Sequence, residues 1–418
     1  YRFEDRLLLY APVGLAKRFA MLVRKAVRNA LHIAALVVGV SIPGRAEQPT
    51  NRALAAALER ATAAGQTEQA QRALAEMLAR PHVELDVLLE AGAKLAEREY
   101  YAPAAEVFGR CARDYPHNFE AHYNLALAEF AMRRYTEAQG ALDGLDAIPK
   151  SQQLARDYLR GKIQDAVGQT EQAERSLSAA FNGAPEQENY GLDLGLFFLR
   201  RQLYAKAVAT LEATAKYHPD SIYVALGLAL AQVFGDDPPR AVATCRKILA
   251  QDPNFSPARL LLVVAFYMNG ENENCARETA AALGRPGAPP YLYYLHAASL
   301  LKLNSKDYAA MLRDLDTANH GIPGCAFCYF TQSKVHQELG DEAAAIADLE
   351  TLVGRIDPEF AQGWYRLGNL YQRAGRRDDA ERTLAKFRAI KSVQTDRETD
   401  YLRKVFLSAV AADQQTAK

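Results

Sequence analysis

A small residue returns along this chain at an almost constant step. It stands at Ala70, Ala104, Ala138, Ala173, Ala207, Ala241, Cys275, Ala310, Ala345 and Ala380, spaced by 34, 34, 35, 34, 34, 34, 35, 35 and 35 residues. A fixed period in this range marks stacked supersecondary units, each too small to bury its apolar face alone. A second ladder runs about 12 residues behind, at Pro81, Pro116, Pro149, Pro185, Pro219, Pro253, Pro286, Pro323 and Pro358. Proline lacks an amide donor and clashes with the preceding turn, so each one marks a helix end. A third ladder runs 12 residues ahead, at Gly92, Ala126, Gly161, Gly195, Ala229, Val263, Ala298, Ser333 and Gly368. Two small residues per unit let two helices approach closely. Four residues after the alanines stand Leu74, Phe108, Leu142, Leu177, Leu211, Leu349 and Leu384, on the same helix face.

The last unit carries Trp364, Leu367, Gly368, Tyr371, Gly375 and Ala380, preceded by Asp357-Pro358. In these residues and their spacing it resembles the tetratricopeptide repeat family. The other units are degenerate: where the last has Trp, others have Leu88, His122, Gly191 or Arg259. The resemblance covers about ten units over residues 51–394. It implies an all-α fold, a right-handed superhelical solenoid of about ten helix-turn-helix repeats. Residues 395–412 read as a C-terminal capping helix, with Tyr401, Leu402, Val405, Phe406 and Ala409 on one side. No stretch alternates at the strand period, so sheet is not expected. Two places disturb the period, Arg285-Pro286-Gly287-Ala288-Pro289-Pro290 and His320-Gly321-Ile322-Pro323-Gly324, where the array is expected to bend or lose stacking.

A length of 418 residues suggests two or three globular domains, but a solenoid grows by adding neighbours. Fifty basic and fifty acidic residues cancel, which leaves no bulk field to hold nucleic acid. Met21 is followed by basic Arg24, Lys25 and Arg28, an apolar run from Ala30 to Val40, and Gly44 and Ala46 at small-x-small spacing. That order is a secretory signal peptide over residues 21–46, cleaved after Ala46, with residues 1–20 a leader outside the mature protein. The expected location is periplasmic or secreted, in a bacterial cell. The alternative keeps residues 30–42 uncleaved as a membrane anchor for an accessory subunit of an envelope complex; the run is short for a span of about 20 residues.

Cysteines are few: Cys111, Cys245, Cys275, Cys325 and Cys328. The Cys325-Ala-Phe-Cys328 motif lacks the second ligand pair of a zinc ribbon, the following His of a haem attachment and the preceding strand of a thioredoxin. Its expected role is packing at a helix start, with a structural disulfide as second reading and thiol redox or metal chemistry as third. No phosphate-cradling loop, nucleophile elbow or His-Glu-x-x-His occurs, and the histidines fall in unrelated units. The expectation is no enzyme, no cofactor and no metal, but a scaffold for a protein or peptide partner.

The family resemblance places that partner in a concave groove lined by the first helix of each unit. Carried over residue by residue, the groove positions include Tyr123, Leu192, Leu196, Tyr223, Leu226, Leu230, Leu260, Val264, Tyr267, Tyr365 and Asn369. Other positions on the same register are Tyr158, Lys162, Asp165, Lys302, Phe330, Lys334 and Gln337. The first helices of units six and seven are apolar nearly all round, which means deep burial or a waiting partner. Units five to seven are therefore the expected seat. The Lys, Asn and Arg set with which some family members clamp a terminal carboxylate is not reproduced at Tyr123 with Leu127 or at Tyr365 with Asn369.

Overall fold

The computed structural model describes residues 49–390 except 144, 146, 147 and 284–287, together with Arg403. The expected leader (1–20), signal peptide (21–46) and, apart from Arg403, capping helix (395–412) lie outside those residues. Among the described residues the structure is helical, with no strand.

Ten hairpins follow one another. α1 (Asn51–Ala63) pairs with α2 (Thr67–Ala79), α3 (Leu85–Glu97) with α4 (Tyr101–Asp114), and α5 (Phe119–Ala131) with α6 (Tyr135–Asp143). α7 (Lys150–Ala166) pairs with α8 (Thr170–Gly183), α9 (Glu188–Arg200) with α10 (Tyr204–Tyr217), and α11 (Ile222–Phe234) with α12 (Pro238–Gln251). Then come α13 (Ser256–Met268) with α14 (Asn272–Leu283), α15 (Pro290–Lys302) with α16 (Tyr308–Gly321), α17 (Ala326–Glu338) with α18 (Glu342–Thr351), and α19 (Ala361–Arg373) with α20 (Arg377–Ile390). The described residues fall into two compact units. One runs to Arg201 and includes Thr210–Pro219; the other takes Gln202–Ala209 and continues from Asp220.

The alanine ladder sits in the seam of each hairpin. Ala104, Ala138, Ala173, Ala207, Ala241, Cys275, Ala345 and Ala380 are all buried; Ala70 and Ala310 are partly covered. Across the seam, each ladder glycine of a first helix faces the large residue 16 positions later on the second. A Cβ added at Gly92 would stand 2.5 Å from Phe108, at Gly161 2.8 Å from Leu177, at Gly195 2.5 Å from Leu211 and at Gly368 2.7 Å from Leu384. Volume is thus conserved across the seam by pairing a missing side chain with a large one. Where the first helix carries Val263 instead, residue 279 is the smaller Thr, also buried. Protein interiors pack at crystal density, so such trade-offs are required.

The turn within each hairpin needs one residue in the left-handed region. Glycine fills it at Gly65, Gly168, Gly270, Gly340 and Gly375, but Glu99, Arg133, Gln202, Asp236 and Asn304 also carry positive φ, from 53° to 65°. A side chain there costs about 1–2 kcal/mol, which hairpin packing overrides. Side-chain caps open several helices: Thr50 accepts from Ala53, Asn118 from Ala121, Ser221 from Val224, Asp237 from Arg240, Asp307 from Ala310 and Asp341 from Ala344. Each offsets an orphan amide and contributes about 1 kcal/mol.

The two expected joints behave differently from the expectation. α14 packs on α15 and α16 packs on α17, so stacking continues across both. Pro290 starts α15, where its missing amide costs nothing. The longer spacing late in the chain is partly absorbed by a π turn, Leu352–Ile356, that extends α18. The Asp357 amide donates to the Leu352 carbonyl at 2.7 Å, which swallows one extra residue and keeps Leu352 and Val353 buried.

Candidate functional site: the first-helix face

Within each compact unit most first helices pack on the first helix of the next hairpin, while most second helices touch mainly their own and the next first helix. The first-helix face is therefore the crowded, inner one.

In the unit that ends at Pro219, this face carries an aromatic and ionic cluster. Tyr123 on α5 is half-buried, its ring 5.2 Å from that of Phe119. Tyr158 on α7 lies 4.6 Å from the Tyr190 ring on α9. The Tyr158 hydroxyl donates to Asp193 at 2.5 Å, and the Lys162 ammonium stands 2.8 Å from the same carboxylate. Burial, and then the Asp193 charge, push the Tyr158 phenol well above its usual range. Burial likewise raises Tyr123 and Tyr190, so all three stay neutral and act as donors or flat apolar surfaces, not bases. Asp165 on α7 accepts from Arg200 at 2.5 Å and from Arg201 at 2.6 Å. Leu196 is half-covered and Leu192 is buried.

In the other unit Tyr223, Leu226 and Leu230 on α11 are half-covered; the Tyr223 ring meets Phe255 edge-on at 6.4 Å. On α13 the expectation of an open face is corrected. Leu260, Val264 and Tyr267, like Leu192 in the first unit, are buried side chains. α13 is packed against α11, α12, α14 and α15, so an apolar residue on any side of it meets protein. The Tyr267 and Tyr294 hydroxyls lie 3.5 Å apart inside the core, and the Lys302 ammonium lies 3.7 Å above the Tyr267 ring. Near the last hairpin, Phe330 lies under Lys334 (4.2 Å) and beside the Arg366 guanidinium (5.9 Å). Tyr365 is 51% exposed and packs on Phe387 at 5.1 Å; Asn369 is half-covered. Of the expected groove residues, Tyr123, Leu196, Tyr223, Leu226, Leu230, Tyr365 and Asn369 keep accessible surface.

The sequence carried a signal for some contacts that it was not asked for. Asp165 meets Arg200, and Tyr158 meets Asp193, at separations of 35 residues, one repeat. Scanning complementary side chains at the repeat period would have found both. Among the described residues the histidines form no shared cluster: His296 binds Asp314 at 2.6 Å and His336 binds Asp348 at 2.7 Å, each across its own hairpin. Among the described residues, no group of three His, Cys, Asp or Glu stands as a metal site would require, and no helix is long and apolar enough to cross a membrane.

Cys325 and Cys328 form a disulfide at the start of α17, with Cα atoms 5.3 Å apart and both residues buried. This is the second of the three readings rather than the first. The Cys328 amide donates to Cys325 Sγ at 3.2 Å, so the sulfur also caps the helix. The free thiols are all buried: burial pushes Cys111 and Cys245 up to about 12 and Cys275 up to about 11.

Comparison with known families gives matches to the tetratricopeptide repeat model at residues 88–151, 192–254 and 330–392. Nothing among the curated proteins matches. Similar solved structures include a tetratricopeptide repeat protein from Parabacteroides merdae, at 16% identity and TM-score 0.41, covering 60% of this chain and 98% of that one. The C-terminal part of a TPR repeat-containing protein from Cytophaga hutchinsonii is similar at 17% identity and TM-score 0.41, covering 66% and 97%. The three matched segments each fall on two consecutive hairpins. Those three segments of the chain carry tetratricopeptide repeats.

Proposed function

We propose that this chain is a non-catalytic scaffold that holds a protein or peptide segment along its first-helix face. The observation that carries the reading is the set of large side chains left half-covered or exposed there, Tyr223, Leu226, Leu230 and Tyr365, on helices whose other faces are packed. Tyrosine suits such a position because its ring gains from burial while its hydroxyl stays wet. The fold supplies rigid first helices, so a partner pays little ordering cost on the scaffold side.

The test places a photo-crosslinking residue at position 223, 365 or 216. Position 216 lies on the exposed side of α10, a second helix. The expected result is the same partner adduct from 223 and 365 and none from 216. Equal adducts at all three positions, or adducts at 216 alone, count against the groove.

The proposal includes export, by a signal peptide over residues 21–46. A disulfide at Cys325–Cys328 supports it, since disulfides persist in oxidising compartments. N-terminal sequencing of protein from its native host is expected to begin at Glu47. Full-length chain in the membrane fraction favours the anchored alternative. A thiol redox role for Cys325 and Cys328 makes a different claim. It requires fast alkylation after mild reduction of the folded protein; resistance until the chain is unfolded removes that reading.

A further inference from the structure

Arg403 stands far along the chain from the residue it meets. It comes 13 residues after Ile390, where α20 ends, and it is half-buried with helical backbone. Its guanidinium donates from Nη1 and Nη2 to the side-chain oxygen of Gln202, at 3.0 and 3.2 Å, with that amide turned so that its oxygen faces the donors. Gln202 sits in the turn between α9 and α10, five hairpins before the last, and belongs to the same compact unit as Arg403. A segment that only capped the tenth hairpin would have no need of this turn.

Gln202 is an unusual occupant of its position. Its φ is 59°, where five other hairpins place glycine. A side chain there costs about 1–2 kcal/mol that glycine would avoid. Gln202 is exposed, so its side chain adds little to hairpin packing; what it supplies is the acceptor for Arg403.

Reach limits the path between them. Thirteen residues span at most about 45 Å fully extended, and less wherever they are helical. Five steps from one first helix to the next, at about 8–10 Å each, amount to about 40–50 Å along the stack. A tail with helical backbone at Arg403 therefore takes a shorter line than the stack, and a shorter line runs on the inner side of a stack that curves. The sequence around Arg403 suits that side, since Tyr401, Leu402, Val405 and Phe406 recur at the helical period. An apolar helix side laid into a groove is a common mode of peptide recognition.

We propose that residues 391–412 are an internal ligand of this protein: the segment folds back along the first-helix face, is fastened at the α9–α10 turn by Arg403 on Gln202, and competes there with the external partner. The proposal rests on the groove reading above and adds its regulation. Tethering gives such a segment an effective concentration in the millimolar range, so even a weak contact is populated. The partner then binds with its affinity reduced by the fraction of chains that are open.

The test is photo-crosslinking of the purified full chain from position 203, followed by peptide mapping. Leu203 is exposed, and replacing it leaves the Gln202 acceptor in place. The expected result is an adduct within one chain to a peptide from residues 391–418, reduced about fivefold or more by Arg403→Ala and by Gln202→Gly. Gln202→Gly removes the acceptor and suits the positive φ, so the hairpin keeps its fold. Adducts between two chains, no adduct to 391–418, or an adduct unaffected by both substitutions overturns the proposal. Competition is read from position 223 in native-host extract, where both substitutions are expected to raise the partner adduct about twofold or more. A partner adduct that stays constant while the tail adduct is lost overturns the competition. No partner adduct at 223 in any variant sinks the groove reading and the competition with it. The tail adduct from 203 is measured without a partner, so the two failures are distinguishable.

Discussion

Helices α13 and α19 occupy equivalent places, each the first helix of its hairpin, yet they are built in opposite ways. α13 reads Ser-Pro-Ala-Arg-Leu-Leu-Leu-Val-Val-Ala-Phe-Tyr-Met, and every residue from Leu260 to Tyr267 is buried. α19 has one buried stripe, Ala361, Gly363, Leu367, Gly368, Leu370 and Tyr371, and presents Tyr365 and Gln372 to solvent. α13, apolar all round, is filled by its neighbours and keeps nothing for a partner. A helix with one apolar stripe spends it on the hairpin and leaves its other side free for recognition. The contrast argues that accessible aromatic surface, rather than density of apolar residues, locates binding in this chain.

The largest expected effect would break that contrast if it failed. Tyr267→Ala removes a core ring and is expected to cost about 3–5 kcal/mol, read as a lower denaturation midpoint at unchanged slope. The removed ring also leaves Lys302 without its platform. A stability loss below about 0.5 kcal/mol would mean that Tyr267 is a surface residue.

Glycine seams sharpen the comparison at a smaller scale. Gly→Ala inside a helix ordinarily gains up to about 1 kcal/mol from propensity. At Gly195 the new methyl would meet Leu211, which is fully buried and has nowhere to go. Overpacking of about 1–3 kcal/mol then wins, and Gly195→Ala is expected to destabilise. At Gly368 the opposing Leu384 is half-exposed and can swing outward. There the two effects nearly cancel, and thermal unfolding is expected to shift little. Leu211→Ala should rescue part of the Gly195→Ala loss in a double-mutant cycle, because the two side chains compete for one volume.

These cases also show what a single sequence discloses. The seam positions were legible because packing two helices demands a small residue at a fixed interval, and the alanine ladder satisfies it from Ala104 to Ala380. Turn positions were legible where Gly340 or Asp341 stood, but not at Arg133 or Gln202, whose left-handed backbone is imposed by packing against their own propensity. The burial of Tyr267 was illegible for a physical reason: with apolar residues on every side, α13 has no periodicity to say which side faces water. Disulfide formation by Cys325 and Cys328 was open because that spacing also suits simple packing. Pairs such as Arg366 with Gln337 join different repeats at 29 residues, off the repeat period, and only the fold brings them together.

The smallest expected change in stability belongs to Tyr365, and it is the one that bears most on function. Half of its surface is in water and its ring touches Phe387 on one side, so truncation to Ala removes little core. Tyr365→Ala is expected to alter unfolding free energy by about 0.5 kcal/mol or less. Aromatic anchors at interfaces typically lose about 2 kcal/mol or more of binding when truncated, a thirtyfold fall in affinity. Measured with the partner trapped at position 223, that asymmetry of intact fold and weakened complex is what an accessible first-helix face predicts. The reverse pattern, a destabilised protein that binds its partner with undiminished affinity, would assign Tyr365 to the packing of α19 on α20 and move recognition elsewhere in the chain.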